Sequence, residues 1–213
     1  MANFFNDNQD MRFHFEEAID WTPLVEIGEL GFRSEDGFKS VEEAVGFYRE
    51  AIESVGELAA TQIAPRAAQL DRQGARLENG EAVDQPALKA VFDAIKAAEL
   101  HRMCLPRELG GMNIPLLVYF LSGEMIARAD VSVMTHHSFH GGMAMAMLAF
   151  SIHEGTTTFD GSRIVSTRFS KYIEEIARGD AWGCMDITEP NAGSDMAALR
   201  TRAEVGPDGQ FYL

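Results

Sequence analysis

Residues 182–195 read Trp-Gly-Cys-Met-Asp-Ile-Thr-Glu-Pro-Asn-Ala-Gly-Ser-Asp, and this stretch decides how the rest of the chain is interpreted. Side chains alternate over its first half, which is typical of a β-strand. Pro190 lacks a backbone N–H and holds Glu189 extended, so we expect regular pairing to end there. Turn residues follow, and Asp195 is placed to cap a short helical turn from Met196. Such a turn directs free N–H groups and hydroxyls to one place, where they can bind a phosphate or the polar edge of a ring.

Residues 188–195 resemble the Thr-Glu-Pro-Gly-Ala-Gly-Ser-Asp signature of the acyl-CoA dehydrogenase flavoprotein superfamily. Seven of these eight residues agree, and only Asn191 departs, standing where the family usually has Gly. Asn tolerates positive φ better than most residues, so the substitution is compatible with the same turn. The flanking chain resembles the family more loosely, over residues 41–213. The resemblance implies a helical domain that leads into an antiparallel β-domain.

The resemblance further implies flavin chemistry on a fatty acyl-CoA thioester. In the family, a base removes the α-proton while the β-hydrogen leaves as hydride to flavin N5, giving a trans-2-enoyl-CoA in fatty-acid β-oxidation. FAD carries the redox step, and the protein supplies orientation and electrostatics. The family's base is a carboxylate on a later helix, beyond residue 213, so no catalytic residue is assigned. Electron-transfer flavoprotein as acceptor and a homo-oligomer, either tetramer or dimer, are implied in the same way.

Carried over by position, the resemblance implies five cofactor-binding residues. The backbones of Met185, Ile187 and Thr188 contact the flavin ring, and the Thr188 hydroxyl bonds near flavin N5 and O4. Gly193 and Ser194 meet the ribityl-pyrophosphate, and Ser194 also touches the pantetheine or phosphate end of the thioester substrate. Met185 stands where the family often has an aromatic residue. A turn that merely joins a helical bundle to a sheet is the alternative interpretation.

Composition bounds the class of protein. The 213 residues are 46% hydrophobic, enough for one substantial core, or one domain and part of another. The net charge of −15, from 18 basic and 33 acidic side chains, argues against nucleic acid or an anionic membrane as partner. No apolar run reaches the ~18 residues that a membrane span needs. Two cysteines and an N-terminus without a targeting pattern predict a cytoplasmic location.

Helical spacing of apolar residues runs through the middle of the chain. Ser40-Val-Glu-Glu43 is a capping box that opens an amphipathic helix to about residue 64, which Pro65 is expected to kink and Gly74 to end. Further helices are predicted from Pro86 to about Leu100, from Pro115 to Ala129, from Val131 to Ile152 and from Arg163 to Arg178. The Met-rich helix from Val131 is predicted to be buried nearly all round, with its methionines either in the core or in a pocket for an acyl chain.

The predicted fold class is mainly α. A bundle of about five helices over residues 40–180 precedes the first strands of an antiparallel β-domain over residues 181–213. Residues 1–39 are an N-terminal extension, too aromatic for a disordered tail, that we expect to lie on a surface of the same or a neighbouring subunit. Residues 200–205 and 210–213 are predicted strands around a turn. Because the last hairpin breaks off, we expect the chain to be part of a longer protein.

Two other motifs have a structural and a functional interpretation. His136 and His140 share a helix face at i, i+4 spacing, which a metal site can use, but no third ligand cluster stands at a matching distance from them or from His137. The family binds no metal, so we predict histidines that pack between helices or line a pocket. The loop Leu105-Pro-Arg-Glu-Leu-Gly-Gly111 is a plain connector, or, by the resemblance, a loop near the substrate pocket.

Three functions compete at this point. The first is the N-terminal part of an FAD-dependent acyl-CoA dehydrogenase. The second is an acyl-CoA oxidase or a flavin monooxygenase of the same fold. The third is a helical interaction module that keeps the turn and binds no flavin.

Overall fold

The computed structural model describes residues 2–83 and 85–212. It is mainly α, which confirms the predicted fold class. The α-helices of the described residues are α1 Gln9–Phe13, α2 Trp21–Gly28, α3 Val41–Leu58, α4 Ala64–Gln73, α5 Pro86–Ala97, α6 Leu116–Ala129, α7 Val131–His153 and α8 Ser170–Ala177.

Helix α3 begins at the predicted capping box. The Ser40 hydroxyl accepts a hydrogen bond from the Glu43 N–H at 3.2 Å, and the Glu43 carboxylate accepts one from the Lys39 N–H at 2.8 Å. The carboxylate therefore reaches one residue further back than the standard motif does. Ser40 thus satisfies one of the four N–H groups that a helix start leaves without partners, and Glu43 satisfies the N–H of the residue before the cap.

Pro65 neither ends nor sharply interrupts the helix that starts at Val41. A π-helical turn, Ala59–Ile63, joins α3 to α4, and Pro65 lies in the first turn of α4. Proline has no N–H to donate to the carbonyl four residues earlier. A π-helical turn commonly occurs where the regular hydrogen bonds of an α-helix are interrupted. The helix ends at Gly74, as predicted, with φ of +57°.

The core lies where α6 packs between α3 and α7. Its fully buried apolar side chains come from all three helices and include Ile52, Val55, Val118, Met125, Ile126 and Val133. Helix α7 is buried along one face only, which corrects the prediction that it is buried nearly all round. On its other face Val131 is 64% exposed and Phe150 is 63% exposed. Within the described residues, α7 packs mainly against α6 and α8 and touches α5 through the Phe92 ring, and this packing leaves the other face open.

The N-terminal segment packs on α3 of the same chain. Its aromatic rings form a chain of contacts, with centroid distances of 5.7 Å from Phe5 to Phe15, 4.8 Å from Phe15 to Trp21 and 5.9 Å from Trp21 to Tyr48 on α3. All four side chains are buried. Burial of several aromatic rings explains why a segment without helical periodicity is nevertheless folded.

A buried ion pair fastens this segment to the loop that follows α5. The Glu29 carboxylate is fully buried and accepts two hydrogen bonds from the Arg107 guanidinium, at 2.9 and 2.7 Å. It also accepts one from the Phe38 N–H at 3.1 Å, and the Arg107 guanidinium lies 5.0 Å from the centre of the Phe38 ring. Nearby, the Asn113 amide donates to the Gly28 carbonyl at 3.1 Å. The loop between α5 and α6 is thus held by the N-terminal segment.

The strands form short antiparallel hairpins. They are β1 Arg76–Glu78 with β2 Glu81–Val83, β3 Thr158–Asp160 with β4 Arg163–Ser166, and β5 Glu204–Val205 with β6 Phe211–Tyr212. The turn predicted at residues 206–209 is present between β5 and β6. The turn of β1–β2 is Asn79-Gly80, with φ of +54° and +86°, a hairpin signal that the sequence analysis overlooked.

Two predicted elements are wrong. The helix predicted from Arg163 to Arg178 begins only at Ser170, because residues 163–166 pair with β3 instead. Two of those four residues, Ile164 and Val165, are β-branched and favour a pleated surface. The strand predicted from Trp182 to Thr188 is absent, since no segment of the described chain pairs with it. A strand exists only where a neighbour completes its backbone hydrogen bonds.

Candidate functional site

The segment 182–195 begins against the bundle and then leaves it. Trp182 stacks on aromatic side chains of α5 and α7, and Gly183 packs against α7. From Cys184 onward the side chains are mostly exposed, and Met185 is 48% exposed. The chain thus carries the predicted cofactor-binding residues on a projecting segment that is fixed at its start.

A tight turn closes the segment. Glu189 and Ala192 exchange both backbone hydrogen bonds, at 3.0 and 3.1 Å, so Pro190 and Asn191 form the tip. Thr188 and Gly193 immediately flank this pair and therefore stand on its two arms. A short 3₁₀ turn, Met196–Ala198, follows, but the Asp195 side chain makes no capping hydrogen bond to it, contrary to the prediction.

The Glu189 side chain stabilises this turn through hydrogen bonds to residues that follow it in the chain. Its carboxylate accepts hydrogen bonds from the Arg200 N–H at 3.0 Å, from the Thr201 N–H at 2.7 Å and from the Thr201 hydroxyl. These bonds, above all the one from the Thr201 hydroxyl, lower the pKa of the Glu189 carboxyl. The ionised carboxylate therefore uses its hydrogen-bonding capacity to stabilise the turn. It is not free to act as a base.

Some of the predicted cofactor-binding residues have hydroxyls that no other group of the described residues engages. Thr188, Gly193 and Ser194 are exposed, and Ile187 is half-buried. Within residues 2–83 and 85–212 no hydrogen bond engages the hydroxyls of Thr188 and Ser194. Neutral hydroxyls and free amide N–H groups on one turn suit the polar edge of an isoalloxazine ring and a diphosphate. The residues present therefore fit FAD chemically.

An apolar groove of about 480 Å³ lies between α6 and α7. Its lining includes Cys104, Tyr119, Gly123, Met134, Ser138 and Gly142. Gly183 packs against Phe139 and Met143, each of which follows a groove residue directly in the sequence. One residue corresponds to a rotation of about 100° around a helix, so the projecting segment meets α7 on a different face from the one that lines the groove.

Two of the polar groups that line the groove, the Cys104 thiol and the Tyr119 hydroxyl, are neutral. Burial raises the pKa of the Cys104 thiol to about 11, and burial also raises the pKa of Tyr119 well above its ordinary value. The Tyr119 hydroxyl donates to the His137 carbonyl at 2.9 Å. A groove with a protonated thiol and a satisfied hydroxyl favours an apolar ligand.

The histidines of α7 lie in the core beside the segment. His137 and His140 are almost fully buried, and burial lowers the pKa of His137 to about 4 and that of His140 to about 3. The ring of His101 donates to the Ala177 carbonyl at 2.9 Å. Among the described residues no group of three or more His, Cys, Asp or Glu side chains is placed to hold a metal ion. These rings are neutral packing groups.

The chain matches the family model described as acyl-CoA dehydrogenase, N-terminal domain, over residues 48–156, just over half of its length. The chain belongs to the acyl-CoA dehydrogenase family. This confirms the family to which the sequence motif pointed.

Individual relatives agree with this assignment. The chain is 31% identical over 165 residues to 3-methylmercaptopropionyl-CoA dehydrogenase of Ruegeria pomeroyi, covering 78% of this chain and 26% of the relative. It is 28% identical over 161 residues to the mitochondrial isovaleryl-CoA dehydrogenase of Arabidopsis thaliana, covering 76% and 34%. It is 27% identical over 110 residues to the mitochondrial very long-chain specific acyl-CoA dehydrogenase of Rattus norvegicus, covering 51% and 15%. The chain thus matches about a third or less of these relatives' length.

Sequence reasoning missed two features near the site. It noted the shared face of His136 and His140 but not that Trp182 completes an aromatic cluster there. It also interpreted the loop that holds Arg107 as a connector or as part of a substrate pocket, without the ion pair to Glu29. Helical spacing places the two histidines on one face, but no local signal shows that Trp182 joins them. Nothing local signals the second, because 78 residues separate the two partners.

None of the described helices is long and apolar enough to cross a membrane.

Proposed function

We propose that this chain is the N-terminal part of an FAD-dependent acyl-CoA dehydrogenase that oxidises an acyl-CoA thioester to the trans-2-enoyl-CoA in fatty-acid β-oxidation. The observation that carries the proposal is the turn at residues 188–194. Its hydroxyls are exposed and uncommitted, and its sequence departs from the family signature only at Asn191. Family membership supports the reaction class.

In this proposal the residues of the segment bind and orient the cofactor. FAD, when bound, supplies the two-electron acceptor. The backbones of Met185 and Ile187 would contact the ring, and the Thr188 hydroxyl would donate a hydrogen bond to its polar edge. Gly193 and Ser194 would offer N–H groups and a hydroxyl to the diphosphate, and Ser194 would also contact the thioester's polar end. Gly193 suits a close approach, since no atom lies within 4 Å of a Cβ placed there.

The groove between α6 and α7 supports an acyl thioester as substrate. Its exposed lining is almost wholly apolar, and Met134 and Met145 give it adaptable walls. Electron-transfer flavoprotein as acceptor, a homo-oligomeric assembly and a cytoplasmic location belong to the same proposal. The catalytic base is expected outside this chain.

The direct test uses the complete protein. We expect a yellow preparation absorbing near 450 nm, or an apoprotein that FAD restores to that colour. Addition of an acyl-CoA should bleach the flavin under anaerobic conditions. A colourless protein that FAD does not restore would contradict the proposal and favour a helical interaction module.

Stopped-flow reoxidation separates the remaining alternatives. A dehydrogenase should react slowly with oxygen while the enoyl product is bound. Rapid reoxidation by oxygen in the presence of product would instead favour an acyl-CoA oxidase or a flavin monooxygenase of the same fold.

A further inference from the structure

The indole of Trp182 sits in an aromatic cluster made by two helices. Its ring centroid lies 3.9 Å from that of His140, 4.4 Å from Phe92 and 5.0 Å from His136. Phe92 belongs to α5, and the two histidines belong to α7. His140 is fully buried and, because its pKa is low, it meets the indole as a neutral ring. The contact is therefore close aromatic packing in tilted and edge-on geometry.

The next residue must be glycine for the chain to approach α7 so closely. A Cβ placed on Gly183 would lie 2.6 Å from the Met143 side chain and 2.7 Å from the Phe139 carbonyl oxygen. Neither distance is possible for a real methyl group, and the carbonyl belongs to a helix backbone that cannot give way easily. By contrast, Gly193 meets no atom within 4 Å. Close approach thus singles out Gly183 within the segment.

Beyond these two residues the segment makes its own structure. The turn at residues 189–192 is closed by its own backbone bonds and braced by Glu189 against Arg200 and Thr201. Trp182 and Gly183 are therefore the point at which the position of the segment is set relative to α7. Residue 185 follows only two positions later, so a shift of the anchor is transmitted directly to the residues proposed to contact the flavin.

We propose that Trp182 and Gly183 are positioning residues that hold the flavin-binding segment in register on α7. The inference rests on the proposed function and extends it to residues that touch neither cofactor nor substrate. An anchored segment loses less conformational freedom when the cofactor binds, so anchoring raises affinity by preorganisation. A register fixed on α7 also fixes the turn relative to the groove between α6 and α7.

FAD titration of the complete apoprotein tests this role. Trp182→Ala and Gly183→Ala should each weaken FAD affinity about tenfold or more, through lost preorganisation. Trp182→Phe keeps an aromatic ring in the cluster and should restore affinity to within about threefold of wild type. Trp21→Phe perturbs the other tryptophan, in the N-terminal core, and Gly46→Ala places a methyl group on the open face of α3. Both controls should leave FAD affinity unchanged.

Hydrogen exchange on the apoprotein supplies a readout that does not depend on the cofactor. Amides of residues 184–195 should exchange faster in Trp182→Ala and Gly183→Ala, while those of α3 and α6 keep their protection. Unchanged exchange in the segment, or unchanged FAD affinity in folded variants, would overturn the anchoring role. Wild-type protein that fails to bind FAD would instead overturn the proposed function, and with it this inference.

Discussion

At the scale of single residues, the Thr188 hydroxyl is the group proposed to bind the polar edge of the flavin. In the complete protein, Thr188→Ala should slow flavin reduction by up to about tenfold, since one hydrogen bond contributes about 1 kcal/mol. Thermal stability should not change, because that hydroxyl supports nothing else in the described chain. Anaerobic stopped-flow reduction by acyl-CoA measures the effect. Thr22→Ala, an exposed threonine on α2, is the control, and an equal rate in Thr188→Ala and wild type would remove the role.

A second residue-scale prediction concerns the buried ion pair. Arg107→Met should destabilise the fold by about 3 kcal/mol, because it leaves the Glu29 carboxylate buried without its partner. Glu29→Gln with Arg107→Met removes both charges and should recover most of that loss. Urea unfolding followed by circular dichroism measures both variants. A double variant as unstable as the single one would show that packing, and not the stranded charge, dominates.

At the scale of elements, the capping box should stabilise the start of α3. Ser40→Ala removes the hydroxyl that accepts from the Glu43 N–H and should cost about 1 kcal/mol. Ser54→Ala on the same helix removes only a bond from an exposed hydroxyl to the Glu50 carbonyl, and its effect should be close to zero. Urea midpoints of the two variants give the comparison. Equal midpoints would mean that tertiary packing alone sets the start of α3.

Elements with a strong local signal were predictable from the sequence, and elements that depend on a partner were not. Helices α3, α6 and α7 follow from apolar spacing with clear caps at Ser40 and Asp130. Strand β4 was mistaken for helix because its four residues are too few to show a period and pairing decides their state. The strand expected from Trp182 failed for the converse reason, since alternation alone does not supply a neighbour.

The candidate site was likewise predictable only where its structure depends on local residues. The turn at residues 188–195 was readable because proline, glycine and hydroxyl residues act locally. Its attachment to α7 was not, because the Trp182–His140 and Gly183–Phe139 contacts join residues about forty positions apart in the sequence. The Glu29–Arg107 pair shows the same limit over a longer separation.

At the scale of the whole molecule, buried neutral histidines make stability depend on pH. The pKa of His137 falls to about 4 in the folded state because the ring is buried, whereas a free histidine titrates near 6.5. Between those values the unfolded chain binds the proton and the folded chain does not, so stability is full above about 6.5 and falls as the pH drops toward about 4.

From pH 7 to pH 5 this histidine alone should cost about 2 kcal/mol of stability. His137→Leu removes the titrating ring, so the variant should lose correspondingly less stability than wild type over the same interval. Urea unfolding at the two pH values measures the difference. Parallel losses in wild type and variant would mean that the ring takes up its proton while the protein stays folded.

The central claim is that the turn after Trp182 holds a flavin, and a crystal structure of the complete protein with FAD tests it most directly. The account predicts the Thr188 hydroxyl within hydrogen-bonding distance of the N5 or O4 edge of the ring and Ser194 beside the diphosphate. A structure with FAD bound elsewhere, or with both hydroxyls turned into packed protein, would contradict it.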